Sequence, residues 1–229
     1  MLEASEELSV VEGYTAWASC YDDDGNPLVA MEGPAVRARL GDLSGVLALD
    51  IGCGTGRHTL SLLDAGARVV ATDATPAMMD LARAKLAGRP VTWVRHALPE
   101  PLPLPDHSVE LALMGLVAEH LPDLPAALAS VVRTLRPGGR LILTALHPDR
   151  TAGGQRARFI DPSTGLRQPI TTIHRNVSDY LEIAHSVGLS LIDEQPLIVS
   201  PELALTLPRA ARYSGLPLGW LGHWSSPVA

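Results

Sequence analysis

The stretch Val46-Leu47-Ala48-Leu49-Asp50-Ile51-Gly52-Cys53-Gly54-Thr55-Gly56 decides the fold of this chain. It begins as a short apolar run typical of a buried strand, reaches an acid, and passes through three alternate glycines into a helical pattern. Glycines at such a turn permit a positive φ and a close approach of the backbone to another group. Because free N–H groups collect at the start of the following helix, the stretch predicts a ligand-binding loop at a strand end.

The spacing of the glycines indicates which ligand the loop prefers. It is Gly-x-Gly-x-Gly, whereas dinucleotide sites have Gly-x-Gly-x-x-Gly. Asp50 stands two residues before the first glycine, where a carboxylate repels a pyrophosphate but attracts an ammonium or a sulfonium group. We therefore expect a cationic, amino-acid-like ligand, and an ordinary glycine-rich turn is the alternative.

This loop resembles motif I of the class I S-adenosylmethionine-dependent methyltransferases, in particular the small-molecule enzymes of ubiquinone biosynthesis. The turn Leu135-Arg136-Pro137-Gly138-Gly139, which precedes an apolar strand, is a second and independent signature of that family. The resemblance covers almost the whole chain. It implies an α/β fold, a Rossmann-like three-layer sandwich with a seven-stranded mostly parallel sheet whose last strand is antiparallel.

The resemblance also implies that the glycine loop holds the methionine part of S-adenosylmethionine, the product being S-adenosylhomocysteine. The loop residues expected at the cofactor are Asp50, Gly52, Cys53, Gly54 and Gly56. A second acid, Asp73, ends the next predicted strand, 17 residues after Gly56. A βαβ unit places there the carboxylate that accepts hydrogen bonds from a ribose diol. A simple helix cap is the alternative for Asp73.

Further cofactor contacts follow from the resemblance. Residue 74 adjoins the acid, Met78 matches the family's residue against the adenine, and the backbone of residues 97 and 98 reads the purine edge. The family often has an acid in place of Ala97, so we expect looser adenine recognition here. These residues, with those at the end of the fourth predicted strand, are Ala74, Met78, Ala97, Leu98, Met114 and Gly115.

An aromatic segment precedes the first predicted strand. It contains Trp17, Ala18, Tyr21 and Asp22, similar to the family's Trp-Ala-x-x-Tyr-Asp element, in which the tyrosine closes on the methionine end of the cofactor. By that resemblance Tyr21 and, earlier in the segment, Tyr14 line the site. The alternative is that both tyrosines only hold an N-terminal helix in place.

Length and composition favour one domain over residues 1–229, with 1–40 as an N-terminal helical cap and 147–173 as a substrate lid. The net charge is −7 and no basic run exists, which argues against a nucleic-acid substrate. An acidic N-terminus, two cysteines and the lack of a long apolar run lead us to expect a cytoplasmic protein without membrane insertion. We expect no metal site and a monomer or homodimer.

A general base is needed only if the methyl-accepting atom carries a proton. It must lie at the carboxyl edge of the sheet, which selects His147 first, then His120, with His174 as a lid partner. A structural role is the alternative for each. We expect an enzyme that methylates O, N or C of a small, neutral or apolar metabolite. The alternatives are other chemistry with the same cofactor, an NAD-dependent oxidoreductase and, more remotely, a macromolecular substrate.

Overall fold

The computed structural model describes residues 6–228, and its centre is a seven-stranded sheet. The strands within residues 6–228 are β1 (Leu47–Ile51), β2 (Arg68–Asp73), β3 (Val91–Arg95), β4 (Val109–Gly115), β5 (Leu135–Leu146), β6 (Arg158–Ile160), β7 (Arg167–Pro169), β8 (Ser190–Ile198) and β9 (Pro217–Ser225). The sheet has the order β3-β2-β1-β4-β5-β9-β8, and β6 pairs with β7 in a separate hairpin.

Strand directions confirm the predicted sheet. Strands β3, β2, β1, β4 and β5 pair in parallel, whereas β9 lies antiparallel between β5 and β8. The parallel strands are nearly continuous apolar runs because helices cover both faces of the sheet. Their carboxyl ends meet at one edge, which is where ligands bind in open α/β sheets.

The helices are α1 (Val10–Trp17), α2 (Pro27–Leu40), α3 (Arg57–Asp64), α4 (Pro76–Lys85), α5 (Leu124–Thr134), α6 (Pro148–Ala152), α7 (Val177–Ser186) and α8 (Pro201–Thr206). Helices α2, α3 and α4 bury apolar side chains against one face of the sheet, and α5 and α7 do so against the other. This three-layer arrangement is the predicted sandwich. Within residues 6–228, no helix combines the length and apolarity that crossing a bilayer requires.

Several element boundaries differ from the pattern-based expectation. The sequence pattern predicts a helix from Pro34 to Leu40, but this helix begins at Pro27, because the Asn26 side chain accepts a hydrogen bond from the N–H of Leu28 at 3.0 Å and caps it. The pattern also predicts Ser178 as a helix cap, but that helix begins at Val177, and Asn176 is its cap. The segment 201–213, which the pattern predicts to be one helix, is α8 followed by a separate 3₁₀ turn (Ala211–Tyr213), with a proline at 208 between them.

The region around α1 packs against the β6–β7 hairpin. The Trp17 ring of α1 stacks on Phe159 of the β6–β7 hairpin, with centroids 5.5 Å apart. Leu8 forms a parallel bridge with Ile170, and a side chain at Gly13 would collide with Ile170. The start of α1 is therefore fixed to the hairpin within 147–173, whereas α2, also part of 1–40, belongs to the helical layer.

Candidate functional site

A cavity of about 240 Å³ opens at the carboxyl ends of β1, β2 and β4. It lies below α1 and beside the glycine loop. The sequence-predicted residues that line it are Tyr14, Tyr21, Gly52, Gly54, Asp73, Ala74, Met78, Ala97, Leu98, Gly115 and His120. Residues from these three strand ends, from the segment after β3, from α1 and from α4 thus meet at one place, and the first cavity is the strongest candidate for a ligand site.

Four residues that the resemblance placed at the cofactor do not line this cavity. They are Asp50, Cys53, Gly56 and Met114. The Asp50 carboxylate is 1% exposed and accepts a hydrogen bond from Thr59 Oγ1 at 2.6 Å, beneath the loop. Burial raises the pKa of Asp50. Its side chain therefore braces the start of α3 and makes no contact with the cavity.

The other three residues lie outside the first cavity because they pack against other parts of the protein. Cys53 and Met114 are buried in opposite halves of the core, and burial raises the pKa of the Cys53 thiol. Gly56 presses against α4, where an added Cβ would lie 3.2 Å from the Cβ of Ala82. Cys53, Gly56 and Met114 therefore pack against the core or α4 and do not face the first cavity.

The glycine loop itself faces the cavity at two positions. Gly52 has φ +66°, and a Cβ there would lie 2.3 Å from Cγ2 of Val117, a distance that no side chain tolerates. Gly54 has φ +54°, and no atom lies within 4 Å of the position a Cβ would take. The loop therefore offers bare backbone to the first cavity at Gly54.

Asp73 joins the loop to the start of α4. Its Oδ2 accepts from the N–H of Gly54 at 2.8 Å, and its Oδ1 accepts from the N–H of Thr75 at 2.7 Å. Burial raises the pKa of this carboxyl, while the hydrogen bonds from these amides oppose that rise. Each oxygen keeps a further lone pair, so the carboxylate can accept two hydroxyl groups of a ligand in the cavity.

His120 links α1 to the segment after the hairpin. Its Nδ1 lies 2.7 Å from the carbonyl oxygen of Thr171, and its Nε2 lies 3.0 Å from the hydroxyl of Tyr14. A carbonyl only accepts, so Nδ1 carries the proton and neutral His120 accepts from Tyr14 through Nε2. Burial raises the pKa of Tyr14 well above its ordinary value, which keeps the hydroxyl as the donor.

The other two predicted histidines lie away from the first cavity. His147 is the N-terminal cap of α6, where its Nδ1 accepts from the N–H of Asp149 at 3.3 Å. Burial lowers the pKa of His147. His174 is exposed and its Nδ1 lies 2.7 Å from Thr151 Oγ1. Both side chains stabilise the segment around α6.

A second cavity, of about 90 Å³, adjoins the first. The two share Tyr14, Tyr21 and Leu116 as lining residues. The remaining lining of the second cavity comes from the hairpin region, the segment after α8, the start of α2, Trp17, Glu119, Leu146 and Leu218. Neither His147 nor His174 reaches it. Two small chambers thus meet at a wall made by two tyrosines and one leucine.

Glu119 is a lining residue that sequence reasoning missed. Only 4% of it is exposed, and its Oε1 accepts from the N–H of Leu146 at 3.1 Å. Its Oε2 has no hydrogen-bond partner among residues 6–228. Burial raises the pKa of this carboxyl. The sheet-edge argument that selected His120 applies equally to its neighbour Glu119, so the signal was present in the sequence.

The shared residue Leu116 has an unusual backbone. Its φ is +60°, a region that costs a leucine about 1–3 kcal/mol. The Leu116 N–H is held by Thr144, whose carbonyl lies 3.0 Å away and whose Oγ1 lies 3.1 Å away. Thr144 Oγ1 in turn donates to Glu32 Oε1 at 2.8 Å. The wall between the cavities is thus tied to a buried carboxylate of α2.

Glu32 is completely buried and forms ionic contacts with Arg57 and His58, the latter at 2.7 Å. Burial alone would raise its pKa, but the interactions with His58, Arg57 and Thr144 outweigh burial and lower the pKa to about 2. Glu32 therefore stays ionised and joins α2, the start of α3 and the end of β5. Within residues 6–228, no group of three or more His, Cys, Asp or Glu side chains is placed to hold a metal ion.

Comparison with known proteins identifies the kind of site. Residues 49–143 match the family described as a methyltransferase domain. An uncharacterized methyltransferase of Emericella nidulans is 30% identical, with 82% of this chain and 78% of that protein covered. An uncharacterized methyltransferase of Mycobacterium tuberculosis is 35% identical, with 72% of this chain and 68% of that protein covered.

Solved structures agree with these relatives. A crystal structure of an S-adenosylmethionine dependent methyltransferase from Mesorhizobium loti superimposes with a TM-score of 0.70 at 25% identity. The match covers 84% of this chain and 96% of that one. The residues that match the methyltransferase-domain family, 49–143, include the glycine loop and the carboxyl ends of β1 to β4.

Proposed function

Since the chain belongs to the class I S-adenosylmethionine-dependent methyltransferases and uses S-adenosylmethionine, we propose that it methylates a small metabolite held in the second cavity. The acceptor atom is oxygen, nitrogen or carbon. The observation that carries this proposal is the contact between two cavities across the wall of Tyr14, Tyr21 and Leu116. A donor in one chamber and an acceptor in the other are then aligned by position alone.

The first cavity suits the cofactor in its shape and its polar groups. Asp73 offers two carboxylate oxygens toward a ribose diol, and Gly54 leaves backbone bare where the methionine part would lie. Met78 and Leu98 supply an apolar wall for the adenine. The bound cofactor supplies a methyl group on a positively charged sulfur. The aromatic faces of Tyr14 and Tyr21 are compatible with a cation at the shared wall.

Glu119 is the residue best placed to receive a proton from an oxygen or nitrogen acceptor. Its Oε2 is unpartnered, its carboxyl lines the second cavity, and a raised pKa makes the ionised carboxylate a stronger base. His120 has both ring nitrogens engaged, so we assign it to positioning: it holds Tyr14 over the shared wall. His147 and His174 have no part in the proposed reaction.

The size of the second cavity supports a small acceptor. About 90 Å³ is well below the space that a drug-sized ligand fills. The hairpin and α1, which pack against each other, both line this chamber.

A transfer assay tests the proposal. The full chain is incubated with methyl-labelled S-adenosylmethionine and pools of small metabolites, and both S-adenosylhomocysteine and labelled products are measured. We expect label in small molecules, and a fall in kcat of about 10²–10⁴-fold with E119Q if the acceptor is oxygen or nitrogen. An oxygen or nitrogen acceptor with unchanged kcat in E119Q would contradict the role of Glu119. Label found only in protein or RNA, or none in any pool, would contradict the small-metabolite proposal.

A further inference from the structure

The second cavity is distinguished by its arginines. Arg156 and Arg158 line it from the hairpin side, and Arg209 and Arg212 line it from the segment after α8. These four belong to a chain with only 18 basic residues and a net charge of −7. Because two distant segments bring them together, the cluster is a product of folding and is invisible as a run in the sequence.

Two of the four guanidinium groups are already neutralised. Arg156 lies 2.7 Å from a carboxylate oxygen of Glu7, and Arg209 lies 2.5 Å from a carboxylate oxygen of Asp24. Neither Arg158 nor Arg212 forms an ion pair with any residue from 6 to 228. These two charges remain available to a ligand.

The available guanidinium groups are partly fixed in place. Arg212 lies over the ring of Tyr213, with its Cζ 4.6 Å from the ring centroid, and such stacking orients the cation without neutralising it. Arg158 is half-buried on β6, beside the fully buried Phe159. A cation fixed before binding loses less side-chain entropy when a ligand arrives.

The net charge of the second cavity is positive whether or not Glu119 is ionised. Glu119 is the one acidic side chain among its described lining residues. If Glu119 is ionised, it offsets one of the two available guanidinium charges, and the other remains. An anion is therefore attracted to this chamber, although the protein as a whole is negative.

The walls between these charges are aromatic. Tyr14, Trp17, Tyr21 and Tyr213 all line the chamber, and flat rings of a ligand pack well against such surfaces. Planar guanidinium groups bind carboxylate and phosphate oxygens in pairs. On the basis of the proposed function, we propose that the methyl acceptor is a small aromatic acid whose carboxylate or phosphate binds Arg158 and Arg212.

This inference replaces the expectation of a neutral or apolar acceptor. That expectation used the total charge of the chain, its apolar C-terminal region and its long predicted lid, none of which shows how charges are distributed in the fold. The carboxyl or phosphate group of the acceptor lies against the arginines, which leaves its nucleophilic atom to face the shared wall and Glu119.

Binding of simple probes tests the inference without knowledge of the natural acceptor. The full chain, saturated with S-adenosylhomocysteine, is titrated by calorimetry with benzoate, with phenyl phosphate and with benzamide as the uncharged match of benzoate. We expect at least one of the two anions to bind at least about tenfold more tightly than benzamide, since hydrogen bonds between charged groups are stronger than those to a neutral amide. The anion that binds identifies the preferred acidic group.

The variant R158Q/R212Q should abolish the preference for the anion. The matched control is R136Q, which removes an exposed arginine that pairs with Glu110 outside both cavities and should leave the preference unchanged. The single variants R158Q and R212Q serve if the double variant does not fold. Anions that bind no better than benzamide, or a preference that survives in R158Q/R212Q, would overturn the inference.

The inference and the proposed function fail in different ways. A chain that methylates small neutral molecules but shows no preference for benzoate or phenyl phosphate contradicts only the acidic acceptor. A chain that prefers the anions in an arginine-dependent way but transfers label only to macromolecules contradicts the proposed function.

Discussion

Replacing Asp73 with asparagine should weaken cofactor binding by about 10–100-fold. Both carboxylate oxygens accept backbone N–H groups, from Gly54 at 2.8 Å and from Thr75 at 2.7 Å. Asparagine has only one acceptor oxygen, so its NH₂ group must face one of these N–H donors. The NH₂ group also lacks the lone pair with which the replaced carboxylate oxygen would accept a ribose hydroxyl. A hydrogen bond to a charged group contributes about 1.5–3 kcal/mol, and the loss of one such bond gives the stated range.

Calorimetry with S-adenosylhomocysteine on the full chain measures this effect directly. The matched control is D80N on α4, because the Asp80 side chain is 72% exposed and its contact with Arg83 is 3.4 Å long; its affinity should stay within about twofold of the wild type. Thermal unfolding of both variants separates lost binding from lost folding. D73N that binds within about twofold of the wild type, or an equal loss in D80N, would refute the reasoning.

Three other predictions concern the framework of the site. E32Q removes the buried carboxylate that Arg57 and His58 contact and should lower the free energy of unfolding in urea by about 3–5 kcal/mol. D64N, at an exposed pair, should cost at most about 1 kcal/mol, and equal losses in the two variants would contradict this role of Glu32. Because the pKa of Glu32 falls from 4.5 to about 2 on folding, its contribution of about 3 kcal/mol should be complete above pH 4.5 and vanish as the pH falls through 2. If the free energy of unfolding of E32Q depends on pH in the same way as that of the wild type, this contribution of Glu32 is excluded. G52A should weaken S-adenosylhomocysteine binding at least about tenfold, because the new Cβ would lie 2.3 Å from Val117. The control G88A is also at a positive φ but in open space, and it should leave affinity unchanged. Similar affinities for the two variants would contradict the role of the close approach at Gly52.

The sequence was sufficient to predict the sheet. The apolar run before Asp50, the glycines after it and the acid at the next strand end are local signals, and the parallel order follows from alternating strands and helices. The structure accordingly brings Gly54 and Asp73 to one cavity. These features depend on neighbours in the chain, which is why they can be predicted.

The direction of individual side chains was harder to predict. Asp50 and Met114 stand at or near strand ends, but each side chain points into the layers. Successive side chains of a strand alternate between faces, so a strand end locates a site without deciding which residue points into it. His147 illustrates a related limit, because its capping of α6 depends on a short helix that no periodic pattern announced.

The acceptor side depends on contacts between distant segments. Arg158 and Arg212 are 54 positions apart in the sequence and become neighbours of one cavity only through folding of the hairpin and the C-terminal segment. Neither total charge nor local periodicity contains that information. For the same reason Glu119 was passed over in favour of His120, whose ring nitrogens the fold uses for other contacts.

A crystal structure of the chain with S-adenosylhomocysteine would test the central claim most directly. The two-chamber account predicts the ribose on the carboxylate of Asp73, the adenine beside Met78 and Leu98, and the sulfur at the wall shared with the second cavity. A ligand whose sulfur faces away from Tyr14 and Tyr21, or whose ribose lies away from Asp73, would contradict it.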